Sequence, residues 1–191
     1  MTKIKTTLKR PPLTLPTCLV GANVNGKPNF EAIAWANIVD YNPYLLSISS
    51  EKSHHTNKGI RENKEFSVNI PSADMVAVTD YCGTHSGEKV DKSKVFDVFY
   101  GELKNAPMIR ECPINVECKL VKTVKLQHGE LFIGEIAGVY MEDRYLAGTK
   151  PDMRKINHLV FEEGVGNYWK LGEHVGTIGK MEKDYKRKEK P

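Results

Sequence analysis

From residue 17 onward the chain runs in short apolar or alternating stretches broken by turn residues, a pattern of strands with few helices. Thr17-Cys18-Leu19-Val20-Gly21-Ala22-Asn23-Val24 reads as a buried strand, and Asn25-Gly26 followed by Lys27-Pro28 is turn chemistry. Asn29 to Val39 then returns as the antiparallel partner, with small side chains at Ala32, Ala34 and Ala36 and one large exception, Trp35. A strand stripped to alanines either packs tightly under another element or lets a ligand approach its backbone, and the pattern leaves both open. After the break at Asn42-Pro43, a third strand from Tyr44 to Ser50 places Tyr44, Leu46 and Ile48 on one face and Ser47 and Ser49 on the other.

Ser53 is placed to cap a short helix over about 54–62, with Thr56 in its first turn. Phe66 to Ile70 is a fourth strand stopped by Pro71. Ser72 then caps a second helix in which Met75, Val78 or Thr79, and Cys82 recur on one face up to Gly83. Beyond Asn105-Ala106-Pro107, Ile114, Val116, Cys118 and Leu120 alternate with Asn115, Glu117 and Lys119, predicting one buried face and one wet face. His128-Gly129 turns the chain into a long hairpin partner, Leu131 to Tyr140, and Asn157 to Phe161 and Asn167 to Leu171 are the last short pieces. The expected fold is mainly β with a few helices, a closed antiparallel barrel. It occupies 17–179, with an arm over 1–16 that carries three prolines and a basic run, and a charged tail over 180–191.

Composition narrows the function classes. The formal net charge of +4 sits largely in the two ends, so the body is near neutral, which argues against a nucleic-acid groove. No apolar run approaches the length of a membrane span and no secretory signal opens the chain, so a cytoplasmic protein is expected. Cys18, Cys82, Cys112 and Cys118 form no CxxC pair and have no histidine at zinc spacing, which predicts reduced thiols and no metal site.

The chemistry-bearing residues gather in two places. In Glu51-Lys52-Ser53-His54-His55-Thr56-Asn57, a lysine, two hydroxyls and the free N–H groups of a helix start make an anion site; the same residues also describe an ordinary capped helix. Adjacent His54 and His55 diverge by about 100° on a helix and do not chelate one ion together. The loop Thr84-His85-Ser86-Gly87-Glu88-Lys89-Val90-Asp91-Lys92 either wraps a polar ligand or is a solvated turn. The chain carries no nucleophile elbow, Walker loop, HExxH or GxGxxG, so no catalytic side chain is assigned, and any chemistry belongs to a cofactor.

The succession NFEAIAWANIV, LLSISSEKSHHTNKGI, EFSVNIPS, DYCGTHSGEKVDKSK and YWKLGEHVG resembles the flavin reductase-like FMN-binding split-barrel proteins, in particular their flavoredoxin-like branch, over 17–179. The resemblance implies a split β-barrel homodimer with FMN near the subunit interface. It implies that Ala34, Trp35, Ala36 and Asn37 lie along the flavin ring, and that Ser49, Ser50, Lys52, Ser53, His55 and Thr56 hold the ribityl chain and phosphate. Cys82, Gly83, Ser86, Gly87 and Lys92 would close over the cofactor. Many members carry an arginine or aromatic residue where this chain has His54-His55. The implied activity passes electrons from NAD(P)H through FMN to a flavin, ferric or similar acceptor; the alternative is a flavoredoxin-like carrier between redox proteins.

Overall fold

The computed structural model describes residues 2–185, so the end of the predicted 180–191 tail lies outside the described residues. Strands β1 (Thr14–Pro16), β2 (Cys18–Val24), β3 (Lys27–Ile33), β4 (Ala36–Tyr41) and β5 (Tyr44–Glu51) precede helix α1 (Thr56–Asn63) and β6 (Glu65–Ile70). Helix α2 (Val76–Thr84) follows, then the short β7 (Val98–Phe99) and β8 (Met108–Ile109), and the long β9 (Ile114–Lys125) and β10 (Gly129–Tyr140). The remainder is β11 (Leu146–Ala147), β12 (Lys150–Pro151), α3 (Met153–Ile156), β13 (Leu159–Glu162) and β14 (Asn167–Lys170).

Seven strands form one antiparallel sheet in the order β3-β2-β6-β9-β10-β5-β4. Its two edges, β3 and β4, are separated in the chain by only Ala34 and Trp35. Three peptide steps reach at most about 11 Å, so the sheet must curl until its edges nearly meet. The Ser49 N–H donates to the Trp35 carbonyl at 2.8 Å, continuing the β4–β5 ladder into the connection between the two edges. The expected closed barrel is met to that extent: the sheet is curled, and no ladder joins β3 to β4 among the described residues.

The single strand expected from Asn29 to Val39 is therefore two. Ile33 ends the ladder on β2 opposite Cys18, and Ala36 begins the ladder on β5 opposite Ile48. No glycine, proline or asparagine marks the break; the chain bends at Ala34, and its partner strand changes there.

Inside the curl, Val20, Ala22, Ile48, Phe66, Val68, Cys118 and Phe132 form the main core, with Ile60 of α1 plugging it. A second cluster on the outer face of β2 and β3 joins Leu19 and Phe30 to Cys82 of α2, Phe96, Ile109 and Cys112. Strand β2 is thus buried on both faces, which accounts for its unbroken apolar run. Strand β9 departs from expectation. Asn115 and Glu117, predicted to be wet, are buried. Glu117 accepts from the Glu102 and Leu103 N–H groups at 3.1 and 2.9 Å and from the Tyr140 hydroxyl at 2.6 Å, so the loop before β8 replaces water.

Candidate functional site

Two adjoining clefts open where α1, α2 and the curled edge meet. Helix α1 starts later than expected: His55 occupies the cap position without a side-chain capping bond, and Thr56 is the first helical residue. Buried Thr56 instead accepts from Asn29 Nδ2 through its Oγ1 at 2.7 Å. This bond ties the helix start to β3. The loop after α2 is pinned by Lys92, only 2% exposed, whose Nζ donates to the Phe30 and Cys82 carbonyls at 2.9 and 2.8 Å. A side chain at Gly87 would place its Cβ 2.1 Å from Asn29 Oδ1, so glycine is what allows the loop to approach β3 this closely.

The first cleft, of about 340 Å³, has Ser53, His54, His55 and Thr56 on one wall and Gly83, Thr84, Ser86 and Gly87 on the other. Asn29, Glu31 and Ala32 also line it. The second, of about 300 Å³, is lined by Ala34, Trp35, Ser49 and Ser50 on the sheet side and by Phe161 and Tyr168 of the β13–β14 hairpin. Ala32, His54, Gly83 and Thr84 line both, so the two are continuous. The Tyr168 hydroxyl donates to Asp80 Oδ1 at 3.1 Å, holding the hairpin to α2 beside the second cleft.

Of the residues singled out from sequence, Ser53, His55, Thr56, Cys82, Gly83, Ser86, Gly87 and Lys92 line the first cleft. Ala34, Trp35, Ser49 and Ser50 line the second. Ala36 and Asn37 lie on β4 and line neither cleft, and Lys52 turns away, donating to the Gln127 carbonyl at 3.0 Å. The Cys82 thiol is pushed up to about 11 by burial.

Sequence reasoning missed Asn29, Glu31 and His54, along with Asp80, Phe161 and Tyr168. Glu31, a carboxylate 5% exposed, is the most informative of these. Its Oε1 accepts from Ser50 Oγ at 3.1 Å, and its Oε2 stands 2.7 Å from His54 Nδ1 without hydrogen-bond alignment. His54 Nδ1 is also 3.1 Å from Ser50 Oγ. The Glu31 carboxylate raises the His54 pKa above its ordinary value, outweighing the opposing effect of burial. The sole signal in the sequence was a lone carboxylate within a run of small residues; nothing local pairs it with a histidine 23 positions on.

Two further buried atoms beside the clefts lack hydrogen-bond partners, Thr17 Oγ1 at the second and His55 Nδ1 at the first. Together with Glu31 Oε2 they make three such atoms on cleft-lining residues; Asn57 Oδ1, Thr79 Oγ1 and His158 Nε2 are unpaired away from the clefts.

The model of the family described as "Flavin reductase like domain" matches residues 10–160. The chain belongs to this family. The flavoredoxin of Methanosarcina acetivorans superimposes with a TM-score of 0.92 at 46% sequence identity, covering 96% of this chain and 99% of that one. The flavoredoxin of Desulfovibrio vulgaris (Miyazaki F) gives 0.84 at 32% identity, covering 94% and 98%. An FMN-binding protein of Thermus thermophilus gives 0.77 at 20% identity over 93% and 96%, a likeness of fold. The family thus places a flavin reductase-like fold around the two clefts.

Proposed function

We propose that this chain is an FMN-dependent oxidoreductase in which the first cleft holds the cofactor's phosphate and the second its ring. The observation that carries this reading is the joined pair of clefts, one lined by hydroxyls and imidazoles and the other by Ala32, Ala34 and aromatic side chains. The residues fit the group. Ser53, Thr56 and Ser86 bring hydroxyls to the first cleft, and His54 and His55 bring imidazole rings to the same wall. At the second cleft Ala32 and Ala34 leave room for a planar ring against backbone, with the aromatic side chains of Trp35, Phe161 and Tyr168 at its border.

The bound flavin supplies the acceptance and return of electrons. The chain's own residues orient it, with Lys92 fixing the covering loop and Asn29 joining that loop to α1. In the first reading NAD(P)H is the donor and a flavin, ferric or similar species the acceptor. The second reading is a flavoredoxin-like carrier whose donor and acceptor are redox proteins. One observation favours it: Glu51, Asp80 and Glu163 line the ring cleft, and no lysine or arginine does. A dinucleotide's pyrophosphate would meet like charge there, softened by Arg10, 3.6 Å from Glu163, and by His54 at the junction of the clefts when protonated.

A homodimer fits the same surface. Strand β4 is an exposed sheet edge carrying Ile38 and Val39, and Tyr41, Tyr44 and Trp35 extend its apolar face up to the ring cleft. A second copy seated there would cover this face and border the flavin; sedimentation at micromolar concentration tests it. Among the described residues no helix is long and apolar enough to cross a membrane, and the four free cysteines are buried thiols suited to a reducing cytoplasm.

The deciding experiment is the absorption spectrum of the purified protein, supplied with FMN and then given NADH or NADPH without oxygen. Flavin bands that bleach at once establish the nucleotide-dependent reductase. Bands that persist with nucleotide but bleach with a reduced low-potential protein favour the carrier. Absence of FMN uptake refutes both readings.

A further inference from the structure

We propose that His54, held by Glu31, supplies the charge that lets the first cleft accept a phosphate dianion, and that it takes up a proton as the phosphate binds. The inference rests on the FMN reading of the cleft.

Of the permanent cations nearby, Lys92 lines the cleft but is buried, Lys27 and Lys89 line a neighbouring hollow beyond Asn29 and Gly87, and the others turn elsewhere. Lys92 Nζ is buried and donates to two backbone carbonyls, Lys52 Nζ donates to the Gln127 carbonyl, Lys58 pairs with Glu88, and Arg61 pairs with Glu130. Meanwhile two carboxylates, Glu31 and Glu88, line the cleft itself. Glu88 is offset by Lys58, but Glu31 is buried with only Ser50 donating to it and His54 beside it. A phosphate monoester is doubly charged above about pH 6, so it would enter this space against a buried carboxylate that the Lys92 charge offsets only in part. A proton on His54 removes that repulsion. It leaves a neutral Glu31–His54 pair whose cationic ring lies where the two clefts join.

The groups facing His54 act in both directions. Glu31 on β3 and Glu51 on β5 favour its protonated form, whereas burial and Lys92 oppose it. His55, the other ring at this wall, faces Glu88 at 3.6 Å, and His85 stacks on Tyr81 at 4.2 Å between ring centroids. Neither is tied to the buried carboxylate. The direction of the linkage follows. The His54 proton is bound at low pH and lost as pH rises through its raised value, so the attraction for phosphate is present at low pH and fades above it.

The test uses the full chain depleted of flavin, with affinities for FMN and riboflavin measured by calorimetry between about pH 7 and 9, where the FMN phosphate stays dianionic. The expected result is a riboflavin affinity insensitive to pH and an FMN affinity that falls by up to about tenfold per pH unit above the His54 value. Repeating the FMN titration in two buffers of different ionisation enthalpy counts the protons, with uptake approaching one per FMN toward the upper end. Glu31→Gln should move the fall in FMN affinity to lower pH, and His54→Arg, a permanent cation, should flatten it. Parallel FMN and riboflavin curves without proton uptake overturn the proposal, as does an unchanged slope in folded His54→Arg. The wild-type proton count decides the matter if that variant does not fold. Failure of both flavins to bind would instead refute the FMN reading beneath it.

Discussion

Gly59 lies inside α1, the helix that presents Thr56 to the first cleft, and replacing it with alanine sets two effects against each other. Alanine is the better helix former by about 1 kcal/mol, so in an exposed helix the variant would gain stability. Gly59 is not exposed. Its added Cβ would stand 2.2 Å from the Asn23 carbonyl oxygen and 2.9 Å from the carbonyl carbon, both backbone atoms of β2. A carbon and an oxygen cannot approach so closely, and the buried strand cannot yield as a flexible side chain would. The helix must therefore move out by about 1 Å, at an overpacking cost of about 1–3 kcal/mol. That movement also strains the 2.8 Å bond from Asn63 Nδ2 to the Asn23 carbonyl, a contribution of about 1 kcal/mol. Sterics win, and Gly59→Ala should destabilise the protein by about 2 kcal/mol. For a chain of this length the melting temperature should fall by about 4–8 °C, measured by thermal unfolding of flavin-free protein. A melting temperature equal to or above that of the wild type would refute the claim that α1 rests directly on the β2 backbone.

Three further outcomes follow from the same geometry. Lys92→Met should cost about 2–4 kcal/mol in urea unfolding, because the buried Phe30 and Cys82 carbonyls lose their donor; a cost under about 1 kcal/mol would mean that Lys92 does not anchor the loop. Thr56→Ala should weaken FMN binding by about tenfold, whereas Lys52→Ala should change it by less than about twofold, since Lys52 faces Gln127; equal losses would place Lys52 in the cleft. Burial pushes the Cys18 and Cys118 thiols up to about 12 and Cys82 to about 11, so the folded protein at pH 8 should resist iodoacetamide while unfolded protein reacts at all four cysteines. Rapid labelling of the folded chain would contradict the buried placement of these thiols.

Many of the residues that line the clefts were legible as a group in the sequence, for local reasons. The hydroxyls of Ser53 and Thr56 fall just after a strand and at a helix start, and Ser86-Gly87 follows the next helix, so chain order alone groups them as cleft-forming segments. Lys52 shows where that logic stops. It belongs to the same cluster, but its direction is set by the β9–β10 turn, more than seventy residues away. His54 is the converse: its cluster was legible as an anion site, but its partner lies on β3, outside any local pattern.

The alternating runs and turn residues determined that this is a mainly β chain with two principal helices, since side-chain period and turn chemistry are local properties. Asn29 to Val39 was equally local in its extended preference, but the sequence could not say that it divides between opposite edges of one sheet. That division depends on the curl of all seven strands, which brings Ile33 to Cys18 and Ala36 to Ile48. The burial of Glu117 likewise waited on the loop that covers it, and the charge of the first cleft on the approach of Glu31 to His54. Residue periodicity selects elements. Only closure of the sheet selects which polar groups meet, because a buried carboxylate and its counter-charge come from strands and loops that share no local pattern.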